Sequence, residues 1–201
     1  MEKEPAEMKP ILLSALLLAG LTGLANAQLK VEDFTTKNTD SPLASTSATI
    51  KGNQLWIAYH APSVKGRKIF GSADALQPEG TIWRLGADYA TVLHTDADLD
   101  LGGIALPRGD YALYADLDKG QWKLIVNKTL TKGTRHIWGI NMDGSTTNDP
   151  ATEVGRAAMT MGKPGAPVEK LKITLSDAGG SKGKILVEFE NVTASVPFTV
   201  K

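Results

Sequence analysis

The chain has 201 residues, with 22 Lys and Arg against 22 Asp and Glu, and no Cys. A formal net charge of zero lacks the basic face that a nucleic-acid binder needs. Without Cys there can be no disulfide, thiolate metal site, Cys nucleophile or lipidated N-terminal Cys, while 42% hydrophobic residues suffice for a packed core.

The first predicted element is the uncharged apolar run ILLSALLLAGLTGL at 11–24. It falls short of the roughly 20 residues of a membrane-spanning helix and suits the roughly 7–15 of a signal-peptide core. Lys9 precedes it, and Ala25-Asn26-Ala27 follows as a small-residue cleavage signature. This predicts a signal peptide over 1–27, a cut before Gln28, and a periplasmic or extracellular protein with no membrane span after processing. Glu2, Glu4 and Glu7 oppose a positive leader, so Met8-Lys9-Pro10 is the cleaner start.

Residues 28–46 are polar and predict a flexible N-terminal arm, followed by a single domain over 47–201. Gln54–Tyr59 alternates Leu55, Ile57 and Tyr59 against Gln54, Trp56 and Ala58. Thr81–Leu85 and Ala90–Thr95 read as further short strands. Gly102-Gly103 between Leu101 and Ile104 marks a tight hairpin, and Pro107-Arg108-Gly109 another turn. Asp110–Ala115 and Gln121–Asn127 flank Asp118-Lys119-Gly120 and should pair. Residues 128–155 form the longest irregular stretch, with Asp149–Ala158 the best short-helix candidate because Pro150 could start a turn. Lys170–Leu175, Lys184–Glu190 and a strand through Val196, Phe198 and Val200 complete the pattern. Pro197 should confine that last strand to an edge or an outer side. Period-two runs punctuated by 20 Gly and 10 Pro predict an all-β fold: a single antiparallel β-sandwich, with a jelly-roll-like or barrel-like arrangement as alternative.

Chemistry-bearing motifs are few. Gly179-Gly180-Ser181-Lys182-Gly183 matches G-x-S-x-G, but it joins two strands and no His follows it, so it reads as a hairpin loop rather than a nucleophile elbow. Ser181 and Lys184 also fit S-x-x-K, without the accompanying S-D-N or K-T-G. Asp96, Asp98 and Asp100 alternate but fail the calcium-loop register, which leaves a solvated face beside a turn. His60, His94 and His136 show no metal-ligand spacing. No catalytic residue, metal site or cofactor is therefore assigned.

The most distinctive patch runs from Tyr59 to Thr91 and interleaves basic and aromatic groups. Arg offers forked hydrogen bonds and aromatics offer stacking surface, a mixture suited to anions or sugars. Tyr59, His60, Lys65, Arg67, Trp83, Arg84, Asp88 and Tyr89 are the candidate ligand-binding residues. The competing reading pairs Arg84 with a carboxylate such as Asp88 while Trp83 fills the core.

The strings YHAPSVKGRKIFG, TIWRLGADYAT, LPRGDYALYA, QWKLIVNK and the closing ILVEFENVTASVPF resemble the domain of unknown function 2911 family. Its typical members show Y-x-R-P-x-x-K-G-R, W-R-x-G-A-N-E-A-T and L-P-A-G-x-Y-x-L. The resemblance covers roughly residues 43–200 and implies a secreted or periplasmic bacterial β-domain, with no established activity. His60-Ala61 replaces a usual Ser-Arg or similar pair, and Asp88-Tyr89 replaces Asn-Glu. Any ligand or base that this Glu supplies in relatives is missing here.

The resulting expectation is a non-enzymatic module that binds an envelope glycan, a small anion or another envelope protein. The alternative is a hydrolase of an envelope or extracellular polymer whose carboxylates and His meet only in the fold. A purely structural protein is the third reading, favoured if the 59–91 patch is buried and internally paired.

Overall fold

A computed structural model describes residues 29–37, 40–128, 130, 132–133, 136–137 and 145–201. The expected signal segment 1–27 lies outside the described residues, as do parts of the 128–155 stretch. The strands in chain order are β1 (Leu43–Ile50), β2 (Asn53–His60), β3 (Phe70–Gly71), β4 (Gln77–Pro78), β5 (Ile82–Trp83), β6 (Thr91–Thr95), β7 (Leu99–Leu101), β8 (Ile104–Leu106) and β9 (Gly109–Asp116). They continue with β10 (Lys123–Asn127), β11 (Lys132–Gly133), β12 (His136–Ile137), β13 (Glu153–Ala158), β14 (Thr160–Gly162), β15 (Val168–Gly179), β16 (Lys182–Glu190) and β17 (Val192–Val200).

Two large sheets face each other. The first runs β1-β2-β6-β9-β10-β13, with β5 added beside β9; the second runs β15-β16-β17-β7-β8, with β14 beside β17. Both orders are open paths, so the architecture is the predicted antiparallel sandwich and not a closed barrel. The core lies between the inner faces. Leu55, Ile57, Leu93, Leu113, Leu124 and Val126 of the first sheet join Leu171, Ile173, Ile185, Val187, Phe189, Val196 and Phe198 of the second in one buried cluster. Each such side chain contributes about 1.5–3 kcal/mol relative to exposure. Gly102 and Gly103, at φ of 58° and 91°, make the β7–β8 hairpin turn that Leu101–Ile104 predicts.

The outer face of the first sheet is also covered. Trp56 and Ala58 of β2, which alternate with its core-facing residues, are buried with Val92 beneath Phe34, which is 2% exposed. The segment expected as a flexible arm therefore includes a docked 3₁₀ turn, Val31–Phe34, and its last residues from Leu43 belong to β1. Burial of Phe34 is what the polar composition concealed.

Three local expectations are corrected. Asp149 caps a single 3₁₀ turn at Pro150–Thr152, but the chain from Glu153 is strand, not helix, because β10 offers it a paired edge. Thr81–Leu85 keeps only Ile82–Trp83 as strand, since Leu85 turns to a positive φ of 56°. β17 is not an edge strand. Its two halves pair with β14 and β7, and Pro197 falls at the break between them. There the Pro197 carbonyl accepts the Gly102 N–H at 3.0 Å, and the missing Pro N–H would point to that same gap.

Candidate functional site

The eight residues of the 59–91 patch divide by strand register. Tyr59 and Trp83 point inward and are 6% and 2% exposed. The Tyr59 hydroxyl accepts the Ile173 N–H at 3.0 Å, and the Trp83 Nε1–H donates to the Gly86 carbonyl. Lys65 and Arg67 lie on an exposed loop between β2 and β3. Lys65 pairs with Asp40 at 3.0 Å, and Arg67 donates to the carbonyls of Ser63 and Val64.

His60, Arg84, Asp88 and Tyr89 do share the outer face of the first sheet. His60 is 1% exposed, and its two ring nitrogens lie 3.0 and 2.8 Å from the carbonyls of Ser41 and Phe34. It ties the N-terminal segment to the sheet, with Asp88 at 3.4 Å and the Tyr89 ring edge-on. Arg84 donates from Nη1 to Thr146 Oγ1 at 3.1 Å. Burial lowers its pKa from the ordinary value, opposed by the Asp88 charge. Nearby Tyr114 is pushed up to about 12 by the same burial, opposed by Arg84. Tyr59, His60 and Trp83 are thus buried, Arg84, Asp88 and Tyr89 half-buried, and Lys65 and Arg67 exposed, each with contacts inside the molecule.

Register also assembles a second constellation. Trp56, His94 and Asp110 stand side by side across β2, β6 and β9. His94, 4% exposed, stacks on Trp56 with ring centroids 5.1 Å apart. Its Nδ1 lies 2.7 Å from Asp110 Oδ1 and its Nε2 3.0 Å from Asp96 Oδ1. Both nitrogens are occupied by carboxylates, which suits a clamp rather than a proton relay to a substrate. Asp96 borders an open hollow of about 440 Å³ lined also by Asn53, Ala97, Asp98, Arg108 and Lys201. There Asp98 accepts the backbone N–H of Arg108, and Lys201 Nζ reaches Asp100. Among the described residues no group of three or more His, Asp or Glu could hold a metal ion. His60 lies four strand positions from the residue facing His94, about 13 Å away at 3.3 Å per residue. The side chain of His136 lies outside the described residues.

A third place was not anticipated. A groove of about 230 Å³ opens at one side of the sandwich. Phe70, Trp122, Met161 and Val192 give its apolar surface; Gln77, Glu79 and Asp118 give its polar rim. The geometry is fixed from below. Phe70 packs against Trp122 at 4.7 Å, Trp83 at 5.2 Å and Phe189 at 6.0 Å. The N–H groups of Ile69 and Phe70 donate to the Glu190 carboxylate at 3.3 and 3.4 Å, and the Gln77 N–H to the Ile69 carbonyl at 2.7 Å. These bonds hold the short parallel pair β3–β4 over the core. Asp118, on the β9–β10 turn, pairs with Lys123 at 2.5 Å, which raises the Lys123 pKa. The signal in sequence was present but divided: Phe70 is the next-to-last residue of the K-G-R-K-I-F-G string, Asp118 lies in a turn, and Trp122 lies in the next strand run.

A family profile described as "Protein of unknown function (DUF2911)" matches residues 41–198. Comparisons with curated proteins and with solved structures gave no match. The chain belongs to that family.

Proposed function

We propose that this member of the DUF2911 family is an exported, non-enzymatic binding module whose groove at Phe70 and Trp122 takes a glycan. The observation that carries the reading is the pairing of aromatic and polar groups on one concave surface. A sugar ring presents apolar C–H faces and a rim of hydroxyls; Phe70 and Trp122 meet the first, Gln77, Glu79 and Asp118 the second. The volume is below the roughly 300–1,000 Å³ of pockets enclosing a drug-sized ligand, which suits one ring or a chain end. A purely structural role accounts for the internal contacts of the 59–91 patch but gives no reason for this groove.

Export is supported by the apolar run at 11–24 and Ala25-Asn26-Ala27. Intact-mass measurement on envelope-fraction protein should find Gln28 at the N-terminus, and retention of residues 11–24 would mean an anchored protein and overturn the soluble periplasmic reading. The hydrolase alternative gains no support from Ser181, which sits in the β15–β16 hairpin, or from His94, whose nitrogens both face carboxylates.

The glycan reading is tested by titrating the mature protein with mono- and oligosaccharides while following amide shifts. Perturbations should centre on Phe70, Gln77 and Trp122. Gln77→Ala, a rim change that spares the core, should weaken binding without lowering the melting temperature. Shifts confined to residues 59–67 or to the Asp96 hollow would reassign the site, and no shift with any sugar would refute it.

A further inference from the structure

We infer that the groove selects by charge, favouring sugars with a free ammonium group over neutral ones and disfavouring uronates; this rests on the glycan reading above. The rim carries two carboxylates, Glu79 and Asp118, and among the described residues that line the groove there is no Lys or Arg. Lys123 offsets one of these charges, because its Nζ is held 2.5 Å from Asp118 Oδ2. Glu79 is exposed at the end of β4, placed there by its own N–H, which donates to the Gly71 carbonyl at 2.8 Å. Asp116 faces Lys123 across the β9–β10 hairpin, and Arg156 pairs with both Asp116 and Glu153. Lys123 and Arg156 are therefore each paired with a carboxylate, Lys119 stands exposed on the turn between Asp118 and Gly120 without being among the lining residues, and Glu79 is the rim carboxylate with no cation among the described lining residues.

An anionic sugar would meet Glu79 with no cation among the described lining residues to receive it. An ammonium would meet it favourably, at a rim where neither group is strongly desolvated. One such pair about 4 Å apart in water corresponds to about a five-fold preference. Selection at this level distinguishes partly deacetylated amino sugars from acetylated or acidic ones.

The experiment compares D-glucosamine, N-acetyl-D-glucosamine and D-glucuronate by amide-shift titration of the mature protein at about pH 6, where amine and carboxylates are both charged. Glucosamine should bind about five-fold tighter than the acetylated sugar and glucuronate weakest. Glu79→Gln, a surface change that leaves the fold intact, should flatten the order, as should about 1 M salt. Equal affinities for all three, or an order unchanged by Glu79→Gln, would overturn charge selection and leave the glycan reading standing. Absence of binding by all three, with no shift at Phe70 or Trp122 for any other sugar, would remove both.

Discussion

The Tyr59 hydroxyl of the first sheet accepts the backbone N–H of Ile173, in the edge strand of the second, at 3.0 Å. On either side of it the Pro62 carbonyl takes the Leu171 N–H at 2.9 Å and Thr46 Oγ1 takes the Leu175 N–H at 3.1 Å. Three successive outward N–H groups of β15 are thus satisfied by the facing sheet and the loop that leaves it, which closes an edge that would otherwise invite another strand.

Tyr59→Phe keeps the ring and removes the acceptor. It leaves a buried N–H unsatisfied and should cost about 1–3 kcal/mol. Chemical denaturation would register the loss, and hydrogen exchange should place it at Ile173. An unchanged midpoint would show that the inter-sheet bond is not part of what holds the edge.

The two arginines of the K-G-R and W-R strings should behave differently. Arg67 is exposed and, among the described residues, its guanidinium bonds to carbonyls of its own loop, so Arg67→Ala should stay within about 0.5 kcal/mol of wild type. Arg84 is partly buried, holds Thr146 and lies in the field of Asp88. Arg84→Ala should cost about 2 kcal/mol or more. Thermal melts decide it, and equal melting temperatures would refute the distinction.

Gly183 stands opposite Phe198 in the β16–β17 register, and any Cβ there would run into the Phe198 ring. Gly183→Ala should therefore destabilise by about 1–3 kcal/mol, while Ser181→Ala should leave stability unchanged. The last glycine of the G-x-S-x-G string serves packing. A harmless Gly183→Ala would contradict this.

At the acid end, the hydrogen bond from Arg156 holds the Glu153 carboxyl below its ordinary value. A carboxylate depressed in the folded state stabilises above its unfolded pKa, near 4.5, and loses that contribution as pH falls through the lower folded value. Glu153→Gln should be less stable than wild type at neutral pH and converge with it in acid. Parallel stability curves down through that range would dismiss the link.

At the alkaline end the sign reverses. Burial raises the Tyr114 phenol from about 10 to about 12, so the unfolded chain ionises first and stability declines between those values. Tyr114→Phe should flatten that decline, and ultraviolet titration of the folded variant should lack the latest-ionising tyrosine of the wild type while Tyr111, which burial also raises, still ionises late. If that tyrosine persists in the variant, the assignment to Tyr114 is wrong.

Sequence alone determined the fold class. Alternation at Leu171–Leu175 and Ile185–Phe189, and turns at Gly102-Gly103 and Asp118–Gly120, are local consequences of pleat and backbone sterics, and all lie where predicted. The family strings were likewise legible, because they are contiguous. Tertiary structure alone decided which residues of those strings face one another. Composition could not show that Phe34 docks on Trp56, that Asp149–Ala158 finds a strand edge, or that Tyr59 and Trp83 turn inward while Phe70 and Trp122 meet Gln77, Glu79 and Asp118. Those relations depend on which strand lies beside which, and strands far apart in the chain are brought together by burial of the whole core. A two-residue strand such as Phe70–Gly71 carries no period of its own, so its side chains take their direction from the sheets it packs on.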